Sequence, residues 1–384
     1  MVTTFNFPTL ILYGVGALEQ GCQQLAATGM KKVLVVTDQN LVKLGLHHQL
    51  VKSLNGYGVT STIFDQVRPN PHEDDIIQGA KLYCQQKCEL LVAIGGGAVI
   101  DSAKAIAILV NHDGPLSLYD DVKGGDKLIT GELPEIIAIP TTAGTGSEVG
   151  RSAVIITIDQ GVKTILFHPN LLPTFALLDP NLTIKLPPPI TAASGVDALI
   201  HAIEAYFSPN FHPMADGIAL EGIRLIVENL PTCYQRGEDL EARGKMLLAA
   251  TMGATAFQKG LGMIHSMAHA LSAYYDMHHG LACALLTPCA ISFLEQSTLT
   301  DQQQKKLETI NTLFVNGGTG LSTLSATLEK FIQDLGASFG LHHHGVQADD
   351  LAVLAKVAYA DPCHQANLVP VTEDDLLTVF KKAF

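Results

Sequence analysis

The chain has no tryptophan, few charges and no long run of basic or apolar residues. Charged side chains are 16% of its 384 residues, and 24 Lys plus Arg stand against 37 Asp plus Glu, a formal net charge of −13. Basic residues run no further than pairs, at Lys31-Lys32, Lys305-Lys306 and Lys381-Lys382, so no counterion-releasing stripe exists and a nucleic-acid partner is excluded. No apolar stretch reaches the roughly 18 residues that span a bilayer, so no membrane partner is expected. The opening MVTTFNFPTLILYGVG lacks a basic start and a small-residue cleavage site, and is read as no signal peptide. A GxxxxGK[ST] loop is missing, which leaves a P-loop ATPase without support. Cysteine is scarce as well, and nothing beside Cys84 and Cys88 supplies the second pair of a zinc site. A reducing, cytoplasmic setting is therefore expected.

Hydrophobic residues, at 47%, are enough for a large core and exclude disorder. The low charge fraction suits a large globule, or one that buries more surface by oligomerising, and a homo-oligomer is expected, a homodimer in first place. Up to about residue 185, β-rich runs alternate with helical patterns. KKVLVVTD (31–38), STIFDQV (61–67), ELLVAIGGG (89–97) and EIIAIPTTAGTGSE (135–148) read as strands running into turns. AVIDSAKAIAILV (98–110) reads as a helix, and SAVIITID, KTILFHP and TFALLDP add three β-like segments. This alternation predicts an α/β, doubly wound, Rossmann-like parallel sheet. LPPPITAASG (186–195) marks a boundary, after which apolar residues recur with helical period. The expected domains are 1–185, α/β and dinucleotide-binding, and 186–384, all-helical and metal-binding.

Three features of the first half point to a dinucleotide. GGGAVIDSAK follows a strand and opens a helix, where glycines admit a pyrophosphate close to free N–H groups. TTAGTGSE also follows a strand, and its small hydroxyl residues can line a groove without filling it. Asp38 ends an apolar strand, where a carboxylate accepts from ribose hydroxyls and repels a 2′-phosphate, favouring NAD over NADP. Asp38 is also a good N-cap for a helix starting at Asn40 and Leu41.

The second half concentrates ionisable groups on apolar helices. Asp197 and His201 lie i, i+4 in GVDALIHAIEAY, His265 and His269 repeat that spacing in MIHSMAHAL, and His278 and His279 follow in DMHHG. Burying these groups without partners costs several kcal/mol, and a divalent cation resolves the cost. A carboxylate with imidazoles suits Fe(II), Zn(II), Ni(II) or Co(II) better than Mg(II). His342, His343 and His344 read as a solvated loop, and His47, His48 and His212 as superficial.

With GGGAVIDSAK, IPTTAGTGSEV, GVDALIHAIEAY and GLGMIHSMAHAL…HHG in this order, the sequence resembles the iron-containing (group III) alcohol dehydrogenases over essentially its whole length. The resemblance implies a dehydroquinate-synthase-like fold and an NAD- and metal-dependent enzyme acting on small alcohols and aldehydes. It implies Asp197, His201, His265 and His279 as metal ligands, and His269 as a histidine near the nicotinamide. Gly96, Gly97 and Asp101 match the pyrophosphate loop, with Ala98 in place of the usual serine. Thr141, Thr142 and Thr145 match the nucleotide-groove loop, Lys163 its nearby lysine and Asp38 the ribose-binding acid.

In such an enzyme a bound cation lowers the pKa of an alcohol, hydride passes to nicotinamide, and His269 is the candidate proton relay. Asn367-Leu368-Val369 replaces the family's usual NPR and is expected to lie away from the site. Arg151 and Lys259 stand where relatives carry uncharged or small residues. They are expected to line the substrate cleft and bind an anionic tail, as in a short ω-hydroxy acid or its semialdehyde. Rival readings are a glycerol-dehydrogenase-like polyol oxidation, an NAD- and metal-dependent lyase of the dehydroquinate synthase type, and a binder without catalysis.

Overall fold

The computed structural model describes residues 5, 7, 9–159 and 163–384. The chain divides into two compact units, Phe7–Thr142 with Gly146–Ile184, and Lys185–Phe384 with Ala143–Thr145. The short loop segment joins the helical unit because its backbone packs tightly there: a Cβ on Gly144 would stand 3.1 Å from the Ser194 carbonyl oxygen.

The first unit is built on strands β1 (Leu10–Tyr13), β2 (Lys32–Val36), β3 (Thr60–Phe64), β4 (Leu90–Gly95), β5 (Ile136–Pro140), β6 (Ser152–Ile156), β7 (Lys163–Phe167) and β8 (Phe175–Leu178). Six form a parallel sheet in the order β1-β8-β5-β4-β2-β3. Helices α1 (Ala17–Ala27), α2 (Gln39–Lys43), α3 (Leu46–Gly56), α4 (Glu73–Gln86) and α5 (Gly97–Asn111) complete the unit. Strand residues alternate between two apolar layers. Val33 and Val35 of β2 pack with Leu18 of α1 and Leu50 and Leu54 of α3, whereas Leu34 and Val36 pack with Ile76 of α4 and Ile100 of α5. This is the doubly wound architecture that the alternating pattern predicts. One expectation changes: β6 and β7 do not enter the parallel sheet but pair antiparallel with each other. The link between them is too short for the crossover that a parallel neighbour requires.

Strand order also positions the loops. From β2 the chain steps outward to β3, then returns to β4 on the other side of β2. Asp38 just beyond β2 and Gly96 just beyond β4 therefore flank a topological switch point, the place where open α/β sheets bind ligands.

The second unit is helical: α6 (Pro188–Phe207), α7 (Pro213–Gln235), α8 (Leu240–Ala256), α9 (Met263–Tyr275), α10 (His279–Gln296), α11 (Asp301–Asn316), α12 (Leu324–Asp334), α13 (Leu351–Ala360) and α14 (Glu373–Ala383). The prolines of the boundary segment start α6, where the missing N–H costs nothing. From Thr191 to Phe207 every α6 residue except Ala193 and Tyr206 is buried, so this helix has no face for solvated charge. His47 and His212 prove buried rather than superficial, and His212 N-caps α7 by accepting from the Ala215 amide at 3.0 Å. Among the described residues no helix is long and apolar enough to cross a membrane.

A buried lysine holds the loop after β5 to α5. Lys104 donates to the Ser147 carbonyl at 2.7 Å, to Ser147 Oγ at 2.8 Å and to the Ser152 carbonyl at 2.9 Å. Burial pushes its ammonium down to about 8, against the pull of Asp101 and Glu148. Because the native value lies below the ordinary 10.5, the charged lysine costs native stability below pH 8, and that cost fades as pH rises toward 10.5. Wild type should therefore gain on Lys104→Met by about 3 kcal/mol between these limits. Denaturant midpoints of both proteins at neutral and alkaline pH check this, and a gap that stays constant with pH would contradict it.

Candidate active site

Three helices of the second unit aim ionisable groups at one point. Asp197 and His201 come from α6, His265 from α9, and His279 is the first residue of α10. The Nε2 atoms of His201, His265 and His279 lie 3.9, 3.8 and 3.4 Å from Asp197 Oδ1. These separations are too long for hydrogen bonds, yet match donors sharing one ion, which at bond lengths of about 2.1 Å sit roughly 3.4 Å apart. Asp197, His201 and His265 are all buried, and His265 Nε2 has no hydrogen-bond partner.

These groups act strongly on one another's charge. Burial acts to raise Asp197, but the surrounding imidazoles hold its carboxyl well below the usual range. Burial pushes His201 down to about 4. Burial also opposes charge on His265, yet Asp197 and Glu204 beside it bring it up to about 9. One carboxylate and three imidazoles converging in an apolar core fit a divalent ion, and these four residues could hold it.

Two carboxylates that sequence reasoning missed support the imidazoles. Glu204 accepts from His265 Nδ1 at 2.6 Å, which turns Nε2 toward Asp197. The same carboxylate caps α9, accepting from the Gly262 and Ile264 amides at 2.9 and 2.7 Å. Gly262 is required there, because a Cβ would stand 2.7 Å from Glu204 Oε1. Asp361 accepts from His269 Nδ1 at 2.8 Å and from Ser266 Oγ at 3.0 Å, leaving His269 Nε2 as an acceptor. The His269 ring stacks on His279 with centroids 5.1 Å apart. Asn367 Oδ1 accepts from the Met263 amide at 3.2 Å, at the head of α9. The C-terminal segment expected to lie away from the site thus supports it. Glu204 had a signal in sequence, seven residues after Asp197 on the same helix; Asp361 had none, since its partner is far along the chain.

In the sheet unit, Gly96 is the N-cap of α5 and, as a glycine, brings no side chain to the first amides of the helix, at Gly97 and Ala98. A Cβ on Gly96 would meet Thr142 Oγ1 at 3.3 Å, and the Thr141 amide bonds the Gly95 carbonyl at 3.0 Å, which sets the two loops side by side. Thr145 falls in the short segment grouped with the helical unit. Asp38 is an N-cap: Oδ1 accepts from the Asn40 and Leu41 amides at 2.8 and 3.0 Å, while Oδ2 has no hydrogen bond among the described residues. Asp101 corrects its expected role. Its oxygens accept from Ser147 Oγ at 2.6 Å and the Val154 amide at 3.0 Å, so it ties α5 to β6 rather than facing a phosphate. Lys163, the first residue of β7, is near enough to act electrostatically on Asp101.

The expected pair of substrate cations is not supported. Lys259 is 3% exposed and its ammonium is taken by Asp216 and by the Tyr206 carbonyl at 3.2 Å. A cation already paired and buried cannot serve an anionic tail. Arg151, at the head of β6, holds its guanidinium 5.3 Å above the Phe167 ring. Glu204→Gln, which removes the charge orienting His265, should weaken divalent-metal retention by about 10–100-fold in chelator competition. Unchanged affinity would make Glu204 only a helix cap.

Comparison with known proteins places the chain in a family. The family description "Iron-containing alcohol dehydrogenase" matches residues 8–180, and "Fe-containing alcohol dehydrogenase family, C-terminal" matches residues 191–384. The chain is 34% identical over 391 residues to the NAD-dependent methanol dehydrogenase of Bacillus methanolicus, covering 100% of both. It is 36% identical over 358 residues to the 4-hydroxybutyrate dehydrogenase of Cupriavidus necator, covering 92% of this chain and 91% of the relative. The crystal structure of a 1,3-propanediol oxidoreductase matches at a TM-score of 0.92 and 34% identity, covering 100% of both chains. The chain belongs to the iron-containing alcohol dehydrogenase family.

Proposed function

We propose that the protein is a metal-dependent, NAD-linked dehydrogenase of small primary alcohols that also runs in the direction of aldehyde reduction. The observation that supports this most is the convergence of three imidazole Nε2 atoms on Asp197 Oδ1, with His269 stacked beside them. Asp197, His201, His265 and His279 would hold Fe(II), and the same donors accept Zn(II), Ni(II) or Co(II). When bound, the ion would supply Lewis acidity toward the substrate oxygen and the nicotinamide a hydride acceptor. His269, pinned through Nδ1 by Asp361, takes the alcohol proton at Nε2 and returns it in the reverse direction.

On the nucleotide side, the first amides of α5, at Gly97 and Ala98, suit a pyrophosphate, and Thr141, Thr142, Thr145 and Lys163 are assigned to the groove beside it. Asp38 Oδ2 is the acceptor for ribose hydroxyls. In this reading Asp101 acts only by positioning. A cytoplasmic homodimer is part of the proposal, favoured by the low charge fraction and by Leu10 and Tyr13, which stand exposed on the edge strand β1.

An anionic substrate is the finer variant. The name of the Cupriavidus necator relative favours it, and Arg151 is the cation left to serve it now that Lys259 is spoken for. The decisive test is NADH formation across an alcohol panel with Fe(II)- or Zn(II)-reconstituted protein. Oxidation with NAD and little with NADP is expected; equal use of NADP would overturn the role of Asp38, and no net NADH would favour a lyase or a binder. Arg151→Ala should lower kcat/KM on 4-hydroxybutyrate while sparing butanol. An equal loss on both substrates, or none, rejects the anionic tail.

A further inference from the structure

We propose that Cys283 is a further donor to the metal centre, making it a mixed nitrogen, oxygen and sulfur site. The inference rests on the metal-dependent reading above. Cys283 lies on α10 one turn after His279, so both side chains leave the same face of the helix. Its Sγ is 3.7 Å from His279 Nε2 and 3.9 Å from Asp197 Oδ1, and the residue is 0% exposed. The ligand atoms of Asp197, His265, His279 and Cys283 all lie within 4.8 Å of one another. His201, the fourth residue expected from the sequence, is not part of this compact group.

A second observation points the same way. His265 Nε2, on a side chain only 1% exposed, has no hydrogen-bond partner and is directed into this group by the Glu204 bond at Nδ1. A buried cysteine ordinarily behaves as a small apolar residue among carbons. Here the thiol instead donates to the Asp197 carboxylate and lies against the His279 imidazole, so its sulfur faces the same point as the other donors. Coordination replaces the S–H bond with a metal–sulfur bond, and the proton leaves to solvent. A soft thiolate added to oxygen and nitrogen donors tilts the site toward Zn(II) or Co(II) and away from harder ions.

The test is X-ray absorption spectroscopy of the full-length protein loaded with one equivalent of Zn(II). The wild type should show a sulfur scatterer at about 2.3 Å beside nitrogen and oxygen at about 2.0–2.1 Å. Cys283→Ser should retain zinc by metal analysis and lose the sulfur shell. Zinc bound in the wild type with nitrogen and oxygen scatterers alone overturns the role of Cys283 and leaves the metal centre standing. Failure of the wild type to retain zinc, iron or cobalt overturns the metal-dependent reading, and this inference with it. The wild-type spectrum decides the matter even if the variant does not fold.

Discussion

A buried carboxylate on a helix with no solvated face is the constraint from which the helical unit follows. Asp197 is 3% exposed on α6, and three imidazoles crowd its Oδ1 at distances that suit a shared cation. The neighbouring elements adapt to that point. Gly280 follows His279 because a side chain there would run into the backbone of α6 at Ala193. Gly262 clears the head of α9 for Glu204, whose carboxylate both caps that helix and turns His265. One acid thus joins helix placement to ligand orientation, so the local fold and the site's chemistry share the same hydrogen bonds.

The sheet unit answers a different demand, that of keeping a small-residue loop in register above a parallel sheet. Asp101 and Lys104 share Ser147, and together they fasten α5 to the segment between β5 and β6. Burial raises the Asp101 carboxyl above its ordinary value as it lowers the Lys104 ammonium, so neither group is at ease alone. Their hydrogen bonds hold the loop, while the N-cap of α5, Gly96, brings no side chain to the helix's first amides. This division of labour suits a phosphate site: the backbone faces the ligand and the charged side chains face inward.

The sequence by itself determined the sheet, the helical half and the histidines of the site, because these are written in local periodicity. Apolar runs of strand length ended in glycine turns, and i, i+4 pairs of Asp and His stood out against apolar helices. Asp38 was open to two readings, ribose acid and N-cap, and the cap is present in the structure. Other features were beyond local pattern. β6 and β7 look like any other strand until pairing is decided. Lys259 looks like a lone cation until Asp216, from another helix, meets it. Asp361 and Asn367 join the site from positions far along the chain, and only tertiary packing brings them to α9. The physical reason is common to all of these: a helix or strand is specified by its own near neighbours, whereas a charge is paired, oriented or set to ligate by whatever group the fold carries to within a few ångströms of it.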